Sequence, residues 1–389
     1  MTVLLLIIIY VAFIGLGLPD SLLGSAWPVA HIDLAVPIAV AGLVNVVAAV
    51  GTVASSLLSE RIIRRFGTAT VTAASIFMTS MALMGMGFAT RFWMVMALGI
   101  PLGFGAGTVD SALNNFVALH YKANHMNWLH CFWGVGATSG PVIMALYLVK
   151  NNWHGAYRTV SLALLCIAAI VVASFPLWKR FSKPAAKAGG KPVPKRVLIR
   201  LPGALAACLA FCFYCGGEFT TGLWASSYFV SVKGIAPDTA ASWAAMYYFG
   251  ITAGRLLSGF AALKLSDKTL VRIGLALILA GVGVLLLPFS GASQAAALCM
   301  IGLGCAPIFP SLLDETPKLF GEEYSQGLMG LQLAFAYLGG TLLCPLFGWI
   351  SPVVGLGAWP VYLFLMFAAV IFATEFTQLK AKAAARAHG

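Results

Sequence analysis

Three carboxylates stand where carboxylates are costly. Of the twelve Asp and Glu residues, Asp20, Asp110 and Glu218 are the ones set well inside apolar stretches. A charged carboxylate at the centre of a bilayer costs about 3 kcal/mol or more. Protonation relieves most of that cost, so such a group can take up a proton on one side of a membrane and release it on the other. Asp110 reads as the leading proton-coupling acid, Asp20 as the second and Glu218 as the third. The plainer alternative for each is a structural carboxylate held by a helix dipole or a side chain. For Glu218 the candidate partner is Arg255, the one basic residue left inside an apolar stretch.

Hydrogen-bonding side chains gather near these acids. Asn114 lies four residues after Asp110, on the same helical face. It can both donate to and accept from a solute hydroxyl. Asn115 points to another face. Asn127 and His130 share a face three residues apart, and His130 is either a proton relay or a neutral hydrogen-bonding ring. Trp133 and Trp128 offer rings that either stack on a sugar or anchor a helix. Tyr247, Tyr248, Gln332 and Tyr337 are the polar candidates in the second half.

The elements that position these residues follow from composition. The 389-residue chain is 60% hydrophobic and 9% charged, with mean hydropathy +0.93. Soluble domains carry roughly 25% charged residues. The chain therefore reads as an all-α membrane protein, whose spans need about 20 apolar residues each. Twelve spans are expected: 3–24, 37–59, 67–89, 92–120, 127–149, 157–178, 202–230, 239–264, 270–289, 294–314, 326–350 and 357–377. Residues 1–178 form an N-terminal six-helix half and 201–377 a C-terminal one. Residues 179–200 are a basic cytoplasmic linker, and 378–389 a cytoplasmic tail expected to fray. The apolar start, with no basic leader or small-residue cleavage site, reads as a first span and not a removed signal.

Net charge is +12, but the basic residues occupy short loops and not one face, which argues against a nucleic-acid partner. With both termini inside, nineteen Lys/Arg fall on the inner side and four on the outer. That asymmetry places both termini in the cytoplasm and the chain in the inner (plasma) membrane. The eight cysteines lie in apolar segments; Cys212 and Cys215, with Cys208, follow helical spacing and read as small buried side chains. No cofactor or metal site is expected. Gly103, Gly105 and Gly107 lie within a span, not in the strand–turn–helix context of a nucleotide loop.

The halves repeat each other. Gly51, Leu57, Leu58 and Ser59 match Gly250, Leu256, Leu257 and Ser258 at an offset of 199, as Gly103 and Gly105 match Gly302 and Gly304. Asp20 and Gly24 match Glu218 and Gly222 at 198. Spans 1, 2 and 4 thus pair with 7, 8 and 10, so the repeats are parallel, an arrangement that places a substrate site at their interface near the bilayer midplane.

Twelve spans in two parallel halves around a basic linker resemble the major facilitator superfamily. Its Gly-x-x-x-Asp-Arg-x-Gly-Arg-Arg loop is similar to the stretch Ser56 to Arg65, where Glu60, Arg61, Arg64 and Arg65 are kept and both glycines are replaced. The resemblance implies a cytoplasmic gate there; positive-inside residues are the alternative. Within the superfamily the chain looks most like the fucose permease branch of sugar/proton symporters. That branch has an Asp in span 1, Glu-Thr-x-x-Asn in span 4 and Asn-x-x-Gln in span 5. Here stand Asp20, Asp110 to Asn114, and Asn127 to His130, with Gly254-Arg255 in span 8 also fitting. The departures are Asp for Glu, His for Gln, and Pro19 before Asp20.

The expectation is a secondary active transporter, not an enzyme. It takes up a small sugar or similar polyhydroxylated solute with a proton by alternating access, as a monomer in the bilayer. The glycines around Gly134–Pro141 and Gly339–Gly340 read as hinges or close-packing faces. The alternative is a facilitator of another solute class, sodium-coupled or exporting.

Overall fold

The structure is a computed structural model that describes residues 2–121, 123–178, 195–287 and 291–388. Among these residues there are helices and turns and no strand, as a chain whose backbone groups must be paired within each segment requires. The first half of the sequence forms α1 (Thr2–Asp20), α2 (Leu22–Asp33), α3 (Ala41–Phe66), α4 (Thr68–Met86), α5 (Phe92–His120), α6 (Ala123–Leu148), α7 (Trp153–Ala173) and the single turn α8 (Phe175–Trp178). The second forms α9 (Lys195–Arg200), α10 (Ala204–Ser231), α11 (Pro237–Ala261), α12 (Asp267–Leu286), α13 (Ala292–Phe320), α14 (Glu322–Val354) and α15 (Trp359–His388). Eleven spans among the described residues are long and apolar enough to cross a membrane, with α1 and α2 making one. The 25-residue helix α11 occupies the remaining expected position and is not in that set; it carries Asp238 and Arg255.

Several boundaries differ from expectation. The first span runs to Asp33 and not to residue 24, because Pro28 is held inside α2. A proline removes only one backbone bond from a helix that packing supports. The same span is interrupted at Ser21, directly after Asp20. The stretch Glu60 to Arg65, expected as a loop, is the end of α3. The turn is the single residue Gly67, whose φ of +79° suits glycine and whose N–H closes onto the Ile63 carbonyl. The Ala/Lys-rich tail, expected to fray, continues α15 to His388, since those residues are strong helix formers. The linker residues 179–194 lie outside the described residues.

The chain divides into two compact units. One is Met1–Ala186 with Ala225–Phe249; the other is Lys187–Trp224 with Gly250–Gly389. Each repeats the other's packing at the glycines. A methyl group on Gly51 would press into the Ile100 carbonyl and the Phe104 amide; on Gly250 it would press into the Cys299 carbonyl and the Leu303 amide. Gly105 faces the Ser75 carbonyl and Thr79 amide, and Gly304 the Gly274 carbonyl and Ile278 amide. Every residue in the second set is numbered 199 above its counterpart. The sequence repeat is therefore a repeat of backbone contacts, α3 on α5 and α4 on α5 in one unit, α11 on α13 and α12 on α13 in the other.

Candidate functional site

The first unit holds its two acids on facing helices. α1 and α6 approach backbone to backbone through glycine. A methyl on Gly17 would strike the Trp133 carbonyl, one on Gly136 the Ile14 carbonyl, and one on Gly140 the Ser21 hydroxyl and the Leu18 carbonyl. Small residues permit such approach in membrane helices. One turn beyond Gly17, this closeness brings the Trp133 indole onto Asp20, where Nε1 donates to Oδ2 at 2.8 Å. Asp20 remains exposed at the break between α1 and α2.

Asp110, on α5, is half-buried. The Asn114 amide, one turn on, donates to Asp110 Oδ1 at 2.8 Å and to the Asp110 backbone carbonyl at 3.0 Å. The expected one-face pairing of these two residues is thus a hydrogen bond. Asp110 also lies within electrostatic range of Asp20. Each acid is oriented by a neutral N–H donor. Such a donor serves a carboxylate and a carboxylic acid alike, so either acid can change charge without leaving its partner stranded.

His130 packs its ring edge-on against Phe13, centroids 5.8 Å apart. Asn115 is exposed, on a different face from half-buried Asn114. The side chain of Asn127 lies outside the described residues, as do those of Glu60 and Arg64. Arg61 is exposed, and Arg65 lies over the Phe66 ring at 5.4 Å. Two residues that sequence reasoning missed lie on the same α1/α6 seam. The Tyr10 hydroxyl and His125 Nδ1 are 2.9 Å apart, and Tyr10 stacks on Phe132 at 4.7 Å. The available signal was Tyr10 itself, a polar ring in an otherwise apolar run, and the cluster His120, Tyr121 and His125 at the α5–α6 turn.

The second unit builds a different centre. Glu218 on α10 lies within electrostatic range of Arg255 on α11 and beside the Tyr214 hydroxyl. That hydroxyl donates to the Cys305 carbonyl at 2.9 Å. Gln332 is buried, and its Oε1 accepts from Thr316 Oγ1 at 3.0 Å. They line a small, partly open pocket of about 20 Å³ together with Glu315, Thr374 and Thr377. Tyr247 and Tyr248, which belong to the first unit, are buried and meet ring to ring at 5.1 Å, while Tyr337 of the second unit is exposed. All eight cysteines are free.

Long apolar spans whose backbone contacts repeat at a fixed offset are the architecture of a membrane transport protein. The chain matches the Major Facilitator Superfamily over residues 9–342 and belongs to that superfamily. It is 23% identical to Bypass of stop codon protein 6 of Saccharomyces cerevisiae, over 94% of this chain and 80% of that protein. It is 26% identical to the glucose/mannose transporter GlcP of Bacillus subtilis, over 67% of each. Two solved structures share the fold. One is a bacterial homologue of the human lysosomal transporter Spinster in an inward-facing, occupied conformation (TM-score 0.72, 12% identity, 98% and 97% of the two chains). The other is a D-xylose–proton symporter (TM-score 0.71, 13% identity, 96% and 97%).

Proposed function

We propose that this transporter moves a small sugar or similar polyhydroxylated solute together with a proton, inward across the plasma membrane. Its termini are cytoplasmic, and its functional halves are 1–178 and 201–377. Asp110 is the principal proton-carrying group and Asp20 the second. Asn114 and Trp133 hold these acids and offer the solute a polar edge and a ring face, with His130 beside them. The observation that carries the reading is the pair of first-half acids, each hydrogen-bonded to a neutral donor and within electrostatic range of the other. The names of the Bacillus relative and of the xylose–proton symporter support the solute class and the coupling ion.

The test is solute-elicited proton movement in proteoliposomes, with a panel holding glucose, mannose, xylose and fucose. At least one sugar is expected to drive proton entry. Asp110→Asn is expected to lower proton-driven uptake by about a hundredfold, the scale of losing a proton-transfer group. Intact uptake in Asp110→Asn, with no sugar moving protons, overturns the reading. Uptake that follows a sodium gradient assigns the coupling to sodium instead.

A further inference from the structure

The α1/α6 seam carries a titratable pair that the two acids leave unused. We propose that His125, held by Tyr10, is the outlet through which the coupled proton leaves toward the side of the membrane that carries the N terminus. This rests on the proton-coupled reading above and assigns the route by which that site discharges.

The groups fall in order along the seam. At its outer end the Trp133 indole holds Asp20 at 2.8 Å. His130 follows on α6, three residues and about 4.5 Å of helix rise from Trp133, with its ring against Phe13 of α1. His125 comes next, five residues and about 7.5 Å further, with Nδ1 2.9 Å from the Tyr10 hydroxyl. The Tyr10 ring is fixed by stacking on Phe132. Asp20 itself lies ten residues beyond Tyr10 on α1, about 15 Å away along the axis. Two imidazoles therefore stand between the exposed carboxyl and the first turn of α6.

Tyr10 is a partner suited to a ring that changes charge. Its hydroxyl donates to Nδ1 of a neutral imidazole and, by rotating, accepts from Nδ1–H of an imidazolium. His125 thus keeps its hydrogen bond in both states, while Nε2 is left to exchange the proton. The other titratable ring facing it is Tyr121 at the α5–α6 turn, centroids 5.7 Å away; His130, five residues along the same helix, lies about 140° round it and meets Phe13. His120, the remaining ring at the end of α5, has its Nδ1 2.9 Å from the Phe116 carbonyl. In the step itself the Asp20 carboxyl gives its proton through water to His130 and becomes a carboxylate. The His130 imidazolium passes the proton to His125 through water. His125 gives it to bulk water at the start of α6, and both imidazoles return to neutral. The Asp20 carboxylate is returned to the neutral acid by the next proton from the opposite side.

The test uses the full chain in proteoliposomes and reads two fluxes. Solute-driven proton movement requires the outlet; exchange of labelled for unlabelled sugar does not. His125→Gln keeps a hydrogen-bonding side chain for Tyr10 but takes up no proton. It is expected to lower proton movement about tenfold or more, with sugar exchange within about twofold of the unmodified protein. Tyr10→Phe keeps the stack on Phe132 and is expected to lower proton movement about threefold and to shift its pH profile. Unaltered proton movement in His125→Gln overturns the route while leaving the coupling intact. If His125→Gln loses both fluxes, Tyr10→Phe decides: a shifted pH profile with exchange retained supports the outlet, and an unchanged profile overturns it. Sugar uptake by the unmodified protein without proton movement overturns the coupling and the route together.

Discussion

The two units repeat their backbone contacts but not their polar chemistry. In the first, Asp20 and Asp110 meet an indole N–H and a primary amide. In the second, Glu218, the counterpart of Asp20 at an offset of 198, meets a tyrosine hydroxyl and stands near the Arg255 guanidinium. A neutral donor tolerates either charge state of an acid. A guanidinium does not, because neutralising the acid leaves a permanent charge in a poorly solvated place. The same glycine scaffold thus carries acids on neutral donors in one unit and an acid beside a guanidinium in the other. Asp110 has no acidic counterpart, since the chain 199 residues on reads Phe309 and Pro310.

The largest effects should come from the second centre. Removing Arg255 as Arg255→Gln leaves Glu218 without the nearby charge. Loss of one member of a buried pair costs about 3 kcal/mol, here somewhat less because both residues are half-buried. The double variant Glu218→Gln/Arg255→Gln is expected to recover most of it. Asp20→Asn is expected to cost under about 1 kcal/mol, because an amide oxygen still accepts from Trp133. Thermal unfolding in detergent reads all three. Equal losses in Arg255→Gln and Asp20→Asn would erase the distinction between the centres.

The next effect tests the shared scaffold. Gly136 lies against the Ile14 carbonyl on the α1/α6 seam, and Gly339 against the Cys212 carbonyl on the α10/α14 seam. A methyl added at either position meets backbone, which cannot rotate away as a side chain can. Gly136→Ala and Gly339→Ala are each expected to cost about 1–3 kcal/mol, and to match one another more closely than either matches an alanine at Gly330, where no neighbour lies within 4 Å. If one is tolerated and the other is not, the two seams are not equivalent.

What could be read from the sequence divides along physical lines. The spans and the repeat were legible because apolar length and backbone-contact glycines both leave a mark on residue type. Asp20, Asp110 and Glu218 were legible because ionisable groups in apolar helices are rare. The pairing of Asp110 with Asn114 was legible because helical spacing fixes it. Contacts between distant helices were not. Nothing local ties Trp133 to Asp20, 113 residues away, or Tyr10 to His125, 115 residues away. The one-residue interruption at Ser21 leaves no mark on the sequence, because its backbone stays in the right-handed helical region and Pro19 and Pro28 are both carried inside helices. The end of α3 was missed because charged residues in Glu60 to Arg65 suggest a loop, while Gly67 alone makes the turn.

The smallest effect should come from the exposed end of the second unit around Lys318, where charges pair in water and not in apolar surroundings. Lys318 is 58% exposed and bridges Asp267 at 2.7 Å and Asp314 at 2.6 Å. Its first-unit contrast is exposed Arg65, laid on a phenyl ring. Exposed pairs gain little, since water solvates the separated charges nearly as well and long side chains lose freedom when held. Lys318→Gln is expected to cost about 0.5 kcal/mol in low salt. The loss should vanish near 1 M salt, where the screening length falls to about 3 Å. Unfolding measured at both ionic strengths checks this. A loss above about 2 kcal/mol that persists in high salt would mean that this network acts as a buried centre does. The contrast between exposed and membrane-embedded charge would then no longer separate the two kinds of polar cluster in this protein.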